Sequence, residues 1–340
     1  MHNTSKARYY TTLGLIIFLI LAAILYSLVS GTFEMTLIDI LRSFLRIENN
    51  PELDLVIFDF RLPRIMIACL VGVALGIAGA VVQGVTKNGL ADPGILGINA
   101  GAGAAVVMFM LLFNGLFEET KWLSIMAMPL FGLIGGILAA MIIFVFSWKN
   151  GDLDVERLIL TGIAIGSAFG AVSMYLSLKM KATDFEMAVV WTTGSIYDAN
   201  WYYVLAMIPW LLICIPIILK KSYILDLLQL EDISAKSLGV AINKEKAILL
   251  LSSIGLISAS VAVSGSISFI GLMAPHISRY LVGVQNRYVI TISGAIGALL
   301  VVVSDYFART IIAPAEIPVG IIVSIIGVPF FLYLLKKAKA

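Results

Sequence analysis

From Ile65 to Val85 the chain carries no charged residue, and the stretch satisfies the ~20 residues that a helix needs to cross a hydrocarbon core. Within it Gly72, Gly76, Ala80 and Gly84 recur at every fourth position, which puts all four on one face and lets another backbone come close. The two ends differ. RLPR (61–64) sets two arginines before the span, and the polar, proline-broken NGLADPGILG (88–97) follows it. Such a segment is predicted to cross a bilayer and to pack on a second helix through its small-residue stripe.

Composition extends this reading to the whole chain. Of 340 residues 60% are hydrophobic and 13% charged, with mean hydropathy +1.02, whereas soluble domains carry about 25% charged residues. Lipid is the solvent this chain calls for. A net charge of +2 with scattered basic residues gives no concentrated basic face, so nucleic acid is not an expected partner. Cys69 and Cys214 both lie in apolar runs, and His2 and His276 form no metal-ligand motif, so no metal site is expected.

Apolar runs fall near 13–30, 65–85, 95–113, 125–147, 157–178, 203–219, 247–265, 288–308 and 317–335. The first follows a basic N-terminus but is longer than a cleaved signal's apolar region, so it reads as a retained anchor. Phe269 to Val284 is interrupted by Pro275, His276 and Arg279 and is expected to be a short tenth helix covered by protein, because broken backbone at membrane depth is not exposed to lipid. WTTGSIYDAN (191–200) is too short and polar to span; a small helix or re-entrant turn is expected there.

Ten passes with the N-terminus in the cytosol place loops 86–94, 148–156, 220–246 and 285–287 and the C-terminal tail inside. Lys6, Arg8, Lys87, Lys149, Arg157, Lys220, Lys221, Lys236, Lys244, Lys246, Arg279, Arg287, Lys336, Lys337 and Lys339 then lie inside, against Arg42, Arg46, Arg61, Arg64, Lys121, Lys179, Lys181 and Arg309 outside. That excess is the expected orientation signal. GIAGAVVQG before LADPGILG and SASVAVSGSISF before GLMAPHISR are each a small-residue helix followed by a break. They run in opposite directions, either as an inverted repeat of the transporter kind or through shared membrane composition alone.

RLPR (61–64), GAVVQG…NGLADPGILG (79–97), WTTGS (191–195), LEDISAKSLG (230–239), SGSISFIGLMAPHISR (264–279) and the Asp, Arg, Glu-Pro, Gly and Gly-Pro-Phe series of 305–330 together resemble the FecCD, or vitamin-B12-type, permeases. These are the membrane subunits of ABC importers for ferric siderophores, haem and cobalamin. The resemblance covers nearly the whole chain in order. It implies an all-α integral membrane protein of the type II ABC importer permease kind, with about ten transmembrane helices and short broken or re-entrant ones. Residues 1–340 would form a single transmembrane permease domain in the bacterial cytoplasmic membrane. The implied partners are a second permease subunit, identical or paralogous, two cytosolic ATPase subunits and an extracytoplasmic substrate-binding protein.

Site residues follow from the same resemblance. Arg61, Arg64 and Arg309 match arginines that receive glutamates of the binding protein, and guanidinium forks suit carboxylates. Local pairing is the other reading: Asp305 with Arg309 at i, i+4, and Arg61 with Asp59 or Glu34. The cytosolic segment 226–244 can form a short amphipathic helix ending near Gly239. Its residues Glu231, Asp232, Ala235, Lys236, Ser237, Leu238 and Gly239 match the coupling helix that enters a cleft on the ATPase. Along the fifth span Thr161, Gly166, Ser167 and Gly170 are expected beside the translocation path, although glycines at this spacing also serve plain helix packing. Asp154, Val155 and Glu156 match a cytoplasmic gate, with carboxylates where relatives often have small hydroxyl residues.

Asp92 is expected to organise its turn by accepting backbone hydrogen bonds, His276 to be structural, and the methionines to be packing material. The chain has no G-x-x-x-x-G-K-[ST] loop, so ATP and Mg are assigned to the partner ATPase and no cofactor to this chain. A secondary transporter would favour ionisable groups deep in its spans, whereas here they gather at span ends. A membrane enzyme would need a catalytic constellation, and none is legible. Ferric siderophore is the first cargo expected, with haem and cobalamin as alternatives.

Overall fold

The computed structural model describes residues 6–30, 35–47, 50–113, 121–149, 152–230, 232–237 and 241–338. Within them the chain is helical almost throughout: α1 (Lys6–Val29), α2 (Leu37–Phe44), α3 (Pro51–Asp54), α4 (Leu62–Thr86), α5 (Ile98–Phe113), α6 (Lys121–Phe146), α7 (Val155–Ser177), α8 (Ala182–Thr192), α9 (Trp201–Lys220), α10 (Ser222–Leu227), α11 (Asp232–Ser237), α12 (Ile242–Ser264), α13 (Ile270–Val282), α14 (Asn286–Thr310) and α15 (Val319–Ala338). Among the described residues the extended structure is one hairpin, Trp148–Lys149 against Asp152–Leu153. Among the described residues eight helical segments are long and apolar enough to cross a membrane. The shorter apolar α5 and the proline-containing α13 bring the set to the ten expected.

The small-residue stripe of α4 decides the centre of the molecule. A β-carbon on Gly72 would lie 2.3 Å from the carbonyl oxygen of Gly297, and one on Gly76 2.2 Å from that of Ser293, so α4 and α14 run antiparallel with their backbones touching. Such contact supplies the dispersion energy that holds helices together in lipid. With α12 these helices form the core: α12, α4 and α14 are buried along most of their apolar lengths, whereas α1 and α7 are largely uncovered by the rest of the chain.

Ring contacts Tyr9–Tyr288 at 4.6 Å and Tyr26–Tyr306 at 4.9 Å set α1 parallel to α14. We call the end carrying Arg61, Arg64 and Arg309 the upper end. At the lower end Lys87 Nζ donates to the Leu230 carbonyl at 2.8 Å and Gln229 Nε2 to that of Gly84 at 3.0 Å. Asp226 accepts from the backbone and side-chain amides of Asn286 at 2.9 and 2.8 Å, and Asn243 Nδ2 reaches Asp152 at 2.5 Å. The loops expected on one side of the membrane thus meet at one end.

Two chain breaks lie between the ends. The α4–α5 connection makes a short 3₁₀ turn, Pro93–Leu96, closed by Gly97 at φ +69°. The α12–α13 connection passes through Gly265 at φ +63°, where a β-carbon would meet the Trp191 carbonyl at 1.9 Å. A β-carbon on Gly79, in the lower half of α4, would stand 2.0 Å from the Gly271 carbonyl, and one on Gly271 2.3 Å from the Pro93 ring. The turn before α5 and the start of α13 therefore meet beside the lower half of α4, within the span, where irregular backbone is covered by protein or lines a cavity.

A short helix, α11 (Asp232–Ser237), falls inside segment 226–244, and α10, begun at Ser222, ends within it at Leu227. WTTGSIYDAN is mostly turn, with α8 ending at Thr192. One boundary needs correction: the second span starts early, because α3 and a π-helical stretch, Leu55–Arg61, run into α4.

Candidate functional site

A cavity of about 860 Å³ runs along one side of the molecule, walled by the first turns of α5, the inner face of α7, the end of α8 and the break before α13. Of the predicted path residues, Gly166, Ser167 and Gly170 line it together with Gly162 and Ile163; Thr161 is half-buried and outside this lining. The two readings of the α7 glycines divide by position. Gly162 and Gly166 pack against the tight turn at Gly97, whereas nothing lies within 4 Å of a β-carbon built on Gly170.

The cavity wall mixes glycines and hydroxyl residues with aromatic and aliphatic side chains, Phe185, Trp191, Phe269 and Phe331 among them, and is nearly uncharged. Ser167 Oγ donates to the Ile163 carbonyl at 2.8 Å, Ser177 Oγ to Ser173 at 2.9 Å and Thr192 Oγ1 to Ala188 at 2.8 Å. These hydroxyl protons are thus spent inside their own helices, and lone pairs face the space. Asp92 is the one carboxylate in the lining. Its carboxylate accepts from the backbone amides of Gly94 and Phe269, so it orders its own turn, as expected, and also ties it to the start of α13. Phe269 itself stands at φ +67°, a strained conformation for a bulky residue, held between Asp92 and α15, where a β-carbon on Gly327 would meet its ring at 2.5 Å.

At the upper end the three arginines come together, but not as exposed forks. Arg61 is 7% and Arg64 9% exposed. Arg64 Nε pairs with Asp305 at 2.8 Å and its Nη1 with Glu316 at 2.8 Å. Arg309 Nε lies 3.2 Å from the other oxygen of Asp305, and Arg309 also donates to Ser27 Oγ. Arg61 donates to the Leu28 carbonyl. The local-pairing reading thus holds for Arg309 with Asp305, while Glu34 lies outside the described residues. Asp198, between α8 and α9, also faces Arg64; burial raises its pKa and the guanidinium opposes that rise.

At the lower end Ala235 of α11 is fully buried and Ser237 exposed. Asp232 and Lys236 fall within α11, and Glu231, Leu238 and Gly239 lie outside the described residues. Asp154 caps α7 by accepting from the Arg157 amide at 3.1 Å. Val155 opens the helix half-buried and Glu156 is exposed beside it; none of the three lines the main cavity.

Sequence reading missed Asn99, Ser266 and Glu316. An amide at the head of a short apolar span was the available signal for Asn99; nothing local in the sequence pairs Glu316 with an arginine in α4. His276 rests edge-on against the Phe330 ring at 5.8 Å, consistent with a packing role.

Comparison with known proteins covers the same span of chain. A model of the FecCD transport family matches residues 19–337. The iron-uptake system permease protein FeuC of Bacillus subtilis (strain 168) is 53% identical over 326 residues, 96% of this chain and 97% of that protein. The iron(3+)-hydroxamate import system permease protein FhuG of the same organism is 44% identical over 84% of this chain and 85% of its own length. A solved metal-chelate type ABC transporter in an inward-facing conformation superposes with TM-score 0.82 at 29% identity, over 96% of this chain and 99% of that one.

Proposed function

The chain belongs to the FecCD transport family, and from that membership we infer that it is the membrane permease subunit of an ATP-driven importer carrying an iron–siderophore complex. The observation that carries this reading is the cavity along α7. It is walled by glycines, serines and Thr192 interleaved with aromatic and aliphatic side chains, and bordered by α7, most of which is left uncovered by the rest of the chain. A path with one wall needs a second. A second permease subunit, identical or paralogous, facing α7 would close it.

The remaining partners follow. The lower end, rich in Lys and Arg, is the cytosolic side, with both termini there. Segment 226–244, with α11 at its centre, is the contact for the ATPase, which binds ATP and Mg; Asp154, Val155 and Glu156 at the head of α7 form the cytosolic gate. The upper end receives the extracytoplasmic binding protein through Arg61, Arg64 and Arg309. Since two are buried and Arg64 already holds two carboxylates, docking there works by exchange of partners and not by filling empty forks. A ferric siderophore suits the near-neutral wall, whose one carboxylate, Asp92, is engaged by backbone amides of its own turn and of Phe269; haem and cobalamin are the competing cargoes.

Affinity purification of the tagged chain, co-expressed with candidate ATPase subunits, tests the assignment. A stable complex whose ATP hydrolysis rises with a siderophore-loaded binding protein supports it. Stimulation by a haem- or cobalamin-loaded protein instead reassigns the cargo, and transport by the chain alone driven by an ion gradient overturns the class.

A further inference from the structure

Arg64 holds two carboxylates of different kinds. Asp305 is 1% exposed, fixed on α14 and shared with Arg309 at 3.2 Å. Glu316 keeps 26% of its side chain exposed and belongs to the non-helical segment 311–318, in which Ile311 and Ile312 are also open. We propose that Glu316 is a resident stand-in for the partner's carboxylate: it occupies the face of Arg64 that docking uses, and an incoming carboxylate displaces it.

The exchange rests on the docking reading above and adds its chemistry. A guanidinium presents its donors in a fixed fork, so with Nε committed to Asp305, the Nη1 side can serve Glu316 or a partner's carboxylate, while two carboxylates on one N–H repel each other. Glu316 is the member that yields, because partly exposed pairs hold weakly and it sits on a non-helical segment while Asp305 is fixed within α14.

Displacement has a route inward. Ile317 N donates to the Ala308 carbonyl at 3.0 Å, and four residues beyond Glu316, Gly320 N donates to the Gly194 carbonyl at 2.9 Å. A β-carbon on Gly320 would stand 2.0 Å from the Thr193 carbonyl, so the start of α15 and the turn after α8 move as one. The adjoining Thr192 lines the main cavity. A separate space of about 280 Å³ lies between Pro314–Pro318 and the residues Val190, Ser195 and Tyr197, which gives the segment room to shift. Docking charge is thereby converted into movement at the upper rim of the path.

The experiment uses the permease–ATPase complex in nanodiscs and, as probe, the binding protein that stimulates its ATP hydrolysis. Glu316→Gln removes the internal competitor and should tighten binding at least threefold while raising basal ATP hydrolysis. Arg64→Ala should weaken binding tenfold or more, and Glu316→Gln should have no effect in that background. A nitroxide on Ala315→Cys should gain mobility when the probe binds. If Arg64→Ala weakens binding but Glu316→Gln changes neither affinity nor hydrolysis, and the nitroxide stays still, docking stands and the exchange is overturned. If Arg64→Ala, monodisperse and still assembled with the ATPase, binds as tightly as the unmodified complex, the docking reading and the exchange both fall.

Discussion

Asn99 Nδ2 donates to Ser266 Oγ at 3.0 Å, joining two breaks in the chain that are 167 residues apart. One break follows a span descending from the upper end and the other a span ascending to it, so this bond closes the inner wall of the cavity. A double-mutant cycle with Asn99→Ala and Ser266→Ala should return a coupling of about 1 kcal/mol. It is read from thermal unfolding of the detergent-solubilised protein; purely additive effects would show that the breaks are not joined here.

The contact between Gly72 and Gly297 leaves no room for a methyl group. Gly72→Ala should cost about 1–3 kcal/mol, the usual penalty for overpacking, and lower the midpoint of thermal aggregation. Gly14→Ala serves as the control, since nothing lies within 4 Å of a β-carbon at Gly14; it should leave the midpoint in place. Equal midpoints for both variants would contradict the packing described for α4 and α14.

Asp305 sits between two arginines and is nearly inaccessible. Removing it by Asp305→Ala takes this carboxylate from Arg309 and leaves Arg64 with Glu316 alone, which should cost about 3–5 kcal/mol. Glu316→Gln touches a partly exposed pair and should cost about 1 kcal/mol or less. The ranking of the two in a thermal-shift series is the check; a Glu316 variant as damaged as the Asp305 variant would mean that Glu316 is a fixed structural group.

Gly170 faces open space in the cavity. Gly170→Trp should therefore fill part of the path without disturbing the helix packing, and reduce uptake at least tenfold while assembly with the ATPase persists. Uptake and co-purification are measured on the same preparation. Undiminished transport would move the path away from this face of α7.

Ser237 is exposed at the end of α11. In Ser237→Cys, maleimide labelling should be fast in the isolated chain and slowed at least fivefold when the ATPase is bound, whereas Cys214 is already buried and should label slowly in both states. Labelling indifferent to the ATPase would place the contact elsewhere.

Much of this was legible in the residues because membrane spans write themselves as apolar length and small-residue spacing. The stripe Gly72, Gly76, Ala80 and Gly84 indicated a packing face, and the structure supplies α14 as its partner. The two matching breaks at LADPG and SGSIS were visible as interruptions of apolar runs. What could not be read were contacts made by tertiary geometry alone. Arginines at 61 and 64 look the same in sequence whether exposed or paired, and only the fold brings Glu316 and Asp305 to Arg64. The short helices α8 and α10 were missed for a related reason: each is too short to carry a clear periodic signal; α2 did carry one, the Thr36–Asp39 capping box at its start, which the apolar-run reading passed over.

The central claim is that this chain forms the path of an ATP-driven iron–siderophore importer, and vectorial uptake tests it most directly. The chain, its permease and ATPase partners and the binding protein are reconstituted in proteoliposomes with ATP inside the vesicles and radiolabelled ferric siderophore loaded on the binding protein outside, orienting the ATPase outward in a parallel preparation with ATP supplied there. The account predicts ATP-dependent movement of iron from the binding-protein side to the ATPase side, abolished by Gly170→Trp. Iron movement that continues without ATP, or that is unaffected by Gly170→Trp, would contradict it.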